Sequence, residues 1–246
     1  MAEPVRTAVV LAAGLGSRLG PLKGDKPKAF VEIGGVSLIE RSIRLLLENG
    51  IGKIIIGTGY VSGQFDGLAG IYPQVVTVKN PIYDKTGSLY TLYVLREHLN
   101  GPFLLLEGDL LYEPAALRHL LDDEGENIIL ASDATHSGDE VFIQSGKDGL
   151  LEMMDKDKSK LAQVSGELVG ISKLSTKVLG AMATYAERQY AGNNYHVHYE
   201  DALVAIANAT ALKVKVVKDM AWCEIDDPSH YERAVSVVYP KILQRS

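Results

Sequence analysis

The feature that most constrains this chain lies near its start. Thr7-Ala-Val-Val-Leu-Ala-Ala13 is an unbroken apolar run, and it opens at once into Gly14-Leu-Gly16-Ser17-Arg18-Leu19-Gly20. A strand without polar alternation must be covered on both faces, which is the situation of a strand inside a parallel sheet. Glycines just past such a strand let backbone N–H groups approach a phosphate chain. The pair of features predicts an α/β protein with a phosphorylated ligand at the carboxyl ends of its strands.

The first 132 residues repeat this pattern. Lys53–Gly57, Val75–Val78, Phe103–Leu106 and Ile128–Ala131 read as further short, buried strands. Ser37 is placed to cap a helix running to about Asn49, with Glu40 completing a capping box and Gly50 ending the helix. Ile39, Ile43, Leu46 and Leu47 share one face of that helix. A second helix is predicted over Ser88–His98, and a third starts with Pro114 in its first turn. From 133 to 173 the pattern changes. Glu140–Gln144, Leu150–Met154 and Leu168–Ser172 are strand-like and separated by Gly/Asp/Lys/Ser turns, which suggests antiparallel elements inserted in, or appended to, the sheet. Residues 176–191 and 201–208 read as helices, Leu212–Val217 as a strand and 228–243 as a closing helix. No linker interrupts the chain. The expectation is a single domain over 1–246, with a mostly parallel sheet flanked by helices. Residues 1–132 would form the ligand-binding core, and about 133–210 a small antiparallel lid.

Charge narrows the partners. Lys and Arg number 25 against 31 Asp and Glu, a formal net charge of −6. A nucleic-acid partner is not expected, because neutralising a phosphate backbone needs a basic face. No apolar run approaches the ~20 residues of a membrane span, and the start lacks the pattern of a signal peptide. Cys223 is the single cysteine, so no internal disulfide can form. These features point to a cytoplasmic protein.

Two familiar readings of the glycine loop fail. A dinucleotide fingerprint needs a third glycine where Leu19 stands, and the second strand ends in Gly57-Thr-Gly-Tyr60 without an acid for a ribose. The Gly-x-x-x-x-Gly-Lys-[Ser/Thr] of a P-loop is absent. The cations nearby say more. Arg18 lies within the loop, and Lys26-Pro27-Lys28 follows closely. Three cations beside a glycine turn suit a triphosphate, although a solvated basic loop would share the composition.

Leu11-Ala-Ala-Gly-Leu-Gly-Ser-Arg-Leu19, Lys26-Pro-Lys-Ala29, Gly35 and Leu38-Ile39 together resemble the signature of the nucleotidyltransferase superfamily. The resemblance implies a Rossmann-like sheet, a nucleoside triphosphate and Mg²⁺. Glu107-Gly108-Asp109 and Glu224-Ile225-Asp226 resemble the family's two metal-binding acidic segments, so Asp109 and Asp226 are the expected ligands, with Glu224 and Asp227 as neighbours. Later segments are similar to the small cytidylyltransferases of phosphocholine and 2-aminoethylphosphonate. These are Asn80-Pro-Ile-Tyr83, Thr86-Gly-Ser-Leu-Tyr90, Ser137-Gly-Asp-Glu-Val141, His198-Tyr-Glu-Asp-Ala-Leu203 and again Glu224-Ile-Asp226.

The resemblance implies a nucleotide site made of Leu11, Ala12, Ala13, Gly14, Gly16, Ser17, Arg18, Lys28, Thr86, Gly87, Ser88 and Asp109. Arg18, Lys28 and Lys156 would be the catalytic cations. Asp139, Glu140, Lys156, Tyr199, Glu200, Asp201, Trp222 and Glu224 would receive the acceptor. Read locally, Asp109 is also a turn residue or helix cap, Ser88 also an N-cap, and Lys156 one of three nearby lysines. A primary ammonium prefers carboxylates, whereas a quaternary one prefers aromatic faces such as Tyr190, Tyr195, Tyr199 or Trp222. The resemblance implies CTP as the donor, and the acids, with the Ser137-Gly-Asp-Glu140 match, tilt the expected acceptor to 2-aminoethylphosphonate. Phosphocholine, a sugar or inositol 1-phosphate, and a non-catalytic nucleotide-binding regulatory module are the alternatives, and a homodimer is left open. Alternation along a strand over 222–226 would put Cys223 and Ile225 inward, and Trp222, Glu224 and Asp226 on the opposite face.

Overall fold

The structure is a computed structural model and describes residues 3–245. Thirteen strands are described: β1 (Thr7–Ala12), β2 (Glu32–Ile33), β3 (Val36–Ser37), β4 (Lys53–Thr58), β5 (Val75–Lys79), β6 (Phe103–Glu107), β7 (Leu110–Tyr112), β8 (Ile128–Ser132), β9 (Phe142–Ser145), β10 (Leu151–Asp155), β11 (Gly166–Leu174), β12 (Lys213–Val217) and β13 (Trp222–Glu224). The helices are α1 (Leu38–Glu48), α2 (Gly63–Ile71), α3 (Ser88–Leu95), α4 (Ala115–Leu121), α5 (Thr176–Ala191), α6 (Tyr199–Ile206), α7 (Pro228–Arg233) and α8 (Tyr239–Arg245).

The apolar runs behave as their composition requires. β5, β4, β1 and β6 lie side by side in parallel. Along β1, Ala8, Val10 and Ala12 enter the core under α1, α2 and α4, while Val9 enters the core under α3, α5 and α6. β4 and β6 alternate in the same way. The chain leaves β1 for β4 and β5 on one side and returns to β6 on the other. That reversal makes a crevice at the carboxyl ends of β1 and β6, where open α/β sheets bind ligands. No described helix is long and apolar enough to cross a membrane.

The antiparallel part is inserted in the sheet. β11 is buried along all nine residues and lies within the sheet, antiparallel to both β6 and β8, with β12 parallel to β8 beyond it. The span 133–210 therefore divides: β11 is core, and the rim of the crevice comes from loops such as 135–139. The closing helix runs continuously over 228–245, with a π-helical stretch at Ala234–Val238. α2 is absent from the sequence reading; its Gly63, Gly67 and Gly70 leave only Phe65 and Leu68 to bury, too few to mark a face.

The capping box of α1 is half-formed. Ser37 Oγ accepts from Glu40 N at 3.3 Å, but the Glu40 carboxylate turns to Arg44 and Tyr72 at 2.6 and 2.9 Å. Ser37→Ala should lower stability by about 1 kcal/mol, measured by urea unfolding. No change would mean that water caps this end equally well.

Candidate active site

A cavity of about 690 Å³ opens at the crevice and gathers nearly all of the predicted residues. Gly16 has φ 59°, and a Cβ there would stand 2.8 Å from Lys28 Cβ. Glycine thus lets the loop lie directly on Lys28. The 3₁₀ turn Ser17–Leu22 presents Arg18, and extended Pro27 leads into the turn Lys28–Phe30 that carries Lys28 inward.

The cations meet the acids. Lys28 Nζ is 2.5 Å from Asp109 Oδ2, 2.5 Å from Asp226 Oδ1 and 3.7 Å from Glu224 Oε1. Arg18 reaches Asp226 and Asp139, each at 2.8 Å, and Lys156 also pairs with Asp139. Cations and carboxylates expected to face a ligand are here paired with one another. Burial opposes the charge on Lys28, but Asp109, Glu224 and Asp226 together raise its pKa above the ordinary lysine value. Burial pushes Glu224 up, and Asp109 and Glu107 push it further. At Asp226 burial acts upward too, but the hydrogen bond with Glu224 and the charges of Lys28 and Arg18 hold the carboxyl low.

Oxygens of Glu107, Asp109 and Glu224 lie within 4.8 Å of one another. Asp109 Oδ1 and Asp226 Oδ2 are buried without a hydrogen-bond partner among the described residues. Like charges this close need protons or a cation between them. Hard carboxylate oxygens with unused lone pairs fit a divalent cation such as Mg²⁺.

Buried Asn80 shapes the side of the cavity lined by Thr86, Gly87 and Ser88. Its Nδ2 donates to Thr86 and Thr91 at 2.9 and 3.1 Å, and its Oδ1 accepts from Ile82 N at 3.0 Å. Gly87, not Ser88, is the N-cap of α3. Ser88 Oγ instead accepts from Tyr199 N at 3.0 Å and lies 3.2 Å from His198 Nδ1. Tyr199 OH donates to Glu107 at 2.5 Å. Burial raises Glu107, with Glu200 and Asp109 adding to it. Burial likewise raises Glu200, whose Oε2 is buried and unpartnered among the described residues. Trp222, Glu224 and Asp226 line the cavity while Cys223 and Ile225 pack in a separate core, as alternation requires.

Residues 8–192 match the family of the MobA-like NTP transferase domain. The chain belongs to this family. It is a nucleotidyltransferase. The choline-phosphate cytidylyltransferase of Streptococcus pneumoniae is 30% identical over 233 residues, covering 94% of this chain and 97% of that protein. The CMP-5'-(3-aminopropyl)phosphonate synthase of Streptomyces rubellomurinus is 29% identical over 95% of this chain, which spans only 38% of that relative's length. Among solved structures, the CTP:phosphocholine cytidylyltransferase of Streptococcus pneumoniae superposes with a TM-score of 0.80 at 25% identity, covering 95% of this chain and 99% of that one.

Two residues that the resemblance placed in this transferase's site lie outside the cavity lining. Ala12 packs in the core, and Glu140 accepts from Gly138 N at 3.1 Å. Tyr190 and Tyr195 do not line it either; they stack on each other at 5.0 Å and pack against Tyr90. Glu107 and Glu167 also line the cavity; the sequence names Glu107 only within the segment Glu107-Gly108-Asp109 and gives no sign of Glu167. Glu107 carried a signal, since it is the one acid ending the apolar strand Phe103–Glu107. Glu167 opens the buried strand β11, accepts from Thr135 N and Oγ1 at 2.5 and 2.9 Å, and is pushed up to about 7 by burial. Burial also lifts the Cys223 thiol to about 12, as suits a packing residue rather than a nucleophile.

Proposed function

We propose that this nucleotidyltransferase is a Mg²⁺-dependent cytidylyltransferase. It would move CMP from CTP to a small phosphonate or phosphate monoester, with 2-aminoethylphosphonate as the acceptor that fits best. The products would be CMP-aminoethylphosphonate and pyrophosphate. The observation that carries the reading is one cavity holding a glycine loop, two inward cations and an undercompensated group of carboxyls.

An acceptor oxygen attacks the α-phosphorus in line, the bond to the β-phosphate oxygen breaks, and pyrophosphate leaves with that electron pair. The attacking oxygen is already anionic near neutral pH, so no general base is required. Catalysis is then positioning and charge stabilisation. Arg18 and Lys28 exchange carboxylate partners for phosphate oxygens, and Lys156 holds the acceptor's phosphonate. Asp109 and Asp226, beside Glu224, would hold Mg²⁺, which would supply neutralising charge to the phosphates.

The far end of the acceptor decides its class. Glu200 lines the cavity as a half-buried residue whose Oε2 has no hydrogen-bond partner among the described residues, whereas Trp222 and Tyr199, two of the three aromatic lining residues, are 4% and 2% exposed. A three-donor ammonium matches that carboxyl better than a quaternary ammonium, which needs open aromatic faces. The test is a pyrophosphate-release screen of four nucleoside triphosphates against 2-aminoethylphosphonate, phosphocholine and inositol 1-phosphate. CTP with the aminophosphonate should lead. Glu200→Gln should raise the KM for that acceptor about tenfold or more, the cost of a hydrogen bond to a charged group. Preference for phosphocholine would overturn the acceptor, and nucleotide binding without pyrophosphate release would favour a regulatory module.

A further inference from the structure

The loop over 135–139 runs along the rim of the cavity, and its backbone is not relaxed. His136 has φ 56° and Gly138 φ 91°, on either side of Ser137. A left-handed histidine is uncommon and persists where surrounding contacts hold it. Those contacts are visible. Thr135 is bound by Glu167, and Asp139 is bound by Arg18 and Lys156. Between them, Ser137 O lies 3.3 Å from His230 Nε2.

His230 is 5% exposed, and its other nitrogen, Nδ1, lies 3.3 Å from the backbone N of Asp226. An amide N–H can only donate and a carbonyl can only accept. Both contacts are therefore made by one form of the ring, with a bare Nδ1 and a protonated Nε2. The ring is aimed by the start of α7, where Asp227 Oδ1 accepts from Ser229 N and His230 N at 2.8 and 3.0 Å and Pro228 begins the helix. A circuit results. Asp226 binds Arg18 by its carboxylate, Arg18 binds Asp139, and the loop carrying Asp139 returns through Ser137 and His230 to the Asp226 backbone.

We propose that His230 is a positioning residue that locks this circuit. It holds the 135–139 loop in register with Asp226, so that Asp139 sets Arg18 and Lys156 where the two substrates' phosphorus groups meet. The inference rests on the transfer reaction proposed above for its kinetic consequence, but not for the tie itself. A buried histidine that merely fills space would make neither bond with directional purpose.

The experiment uses the full chain with His230→Asn and His230→Gln. An asparagine amide reaches the place of Nδ1 and keeps the Asp226 contact; a glutamine amide reaches nearer Nε2 and keeps the Ser137 contact. His230→Asn should raise the acceptor KM about tenfold, the usual worth of one lost hydrogen bond, with kcat within about threefold. His230→Gln should show the reverse, a kcat about tenfold lower with the acceptor KM nearly unchanged. Equal changes in both parameters for both variants, or none, would overturn the proposal. A readout independent of turnover is the imidazole ¹⁵N spectrum of the native protein. One ring locked with Nε2 protonated is expected, and averaging of its two nitrogens would overturn the tie even if the variants failed to fold. Should the native protein release no pyrophosphate with any acceptor, the transfer reading falls and the ring spectrum still decides the tie.

Discussion

Lys28→Ala is expected to lower pyrophosphate formation from CTP by about 10²–10³, the usual cost of removing one fixed electrostatic donor from an active site. The reason lies in what surrounds the ammonium. Lys28 is the cation placed at 2.5 Å from both Asp109 and Asp226, and its side chain is only 13% exposed. Arg18 also reaches Asp226, but it is 57% exposed and shared with Asp139. It cannot replace a buried charge. Removing the ammonium also leaves Asp109, Glu224 and Asp226 facing one another. Breaking a buried ion pair costs roughly 3–5 kcal/mol when the remaining charge has no other outlet. Here protonation of a carboxyl, already favoured at Glu224, offsets part of that cost. The variant should therefore fold with a lower Tm. Added Mg²⁺ should recover more Tm for the variant than for the native protein, because a divalent cation supplies the missing charge. Steady-state kinetics and thermal melts with and without Mg²⁺ check both parts. Full turnover by Lys28→Ala would remove Lys28 from the reaction.

The legibility of this molecule follows the range of the forces involved. Strands β1, β4 and β6 are buried on both faces, so each carries its own signal, and the parallel half of the sheet can be read residue by residue. Arg18, Lys28 and Asp109 lie beside those strands and share their legibility. β11 is different. Its neighbours β6, β8 and β9 come from distant parts of the chain, and an apolar run does not say which edge it will enter. The same limit hid the tie between Ser137 and His230, which are 93 residues apart. Glu40 shows a local rule overruled from a distance, because Tyr72 and Arg44 outbid the N-terminus of its own helix for the carboxylate. Lys28, read from the sequence as a triphosphate ligand, is paired in the structure with Asp109 and Asp226, partners 81 and 198 residues away that no local pattern announces.

The second large effect belongs to a residue without a side chain. Gly87 has φ −77°, a conformation any residue adopts, so its need for glycine is one of space alone. A Cβ there would stand 2.2 Å from Val197 O and 2.7 Å from His196 O. Both are backbone atoms, and neither can swing aside as a side-chain tip would. Relief requires the segment over 195–198 to move by about 1 Å, and that segment is bound to the site at several points. Gly87 N donates to Tyr195 O at 2.8 Å, and Ser88 Oγ receives Tyr199 N at 3.0 Å. Tyr199 in turn bonds Glu107 of the carboxyl cluster, with Glu200 next along the helix. A shift there reaches both the Thr86–Ser88 turn and the acceptor end. Displacements of about 1 Å in a reaction that depends on positioning cost about 10²-fold, so Gly87→Ala should lower kcat/KM for CTP by about that factor. Overpacking should also cost about 1–3 kcal/mol of stability. Gly67→Ala is the contrasting change, since a Cβ at that position in α2 meets nothing within 4 Å. It should leave turnover intact and raise stability by about 0.4–1 kcal/mol through the unfolded chain. Equal behaviour of the two variants would mean that the crossing of the 195–198 segment over Gly87 does not position the site.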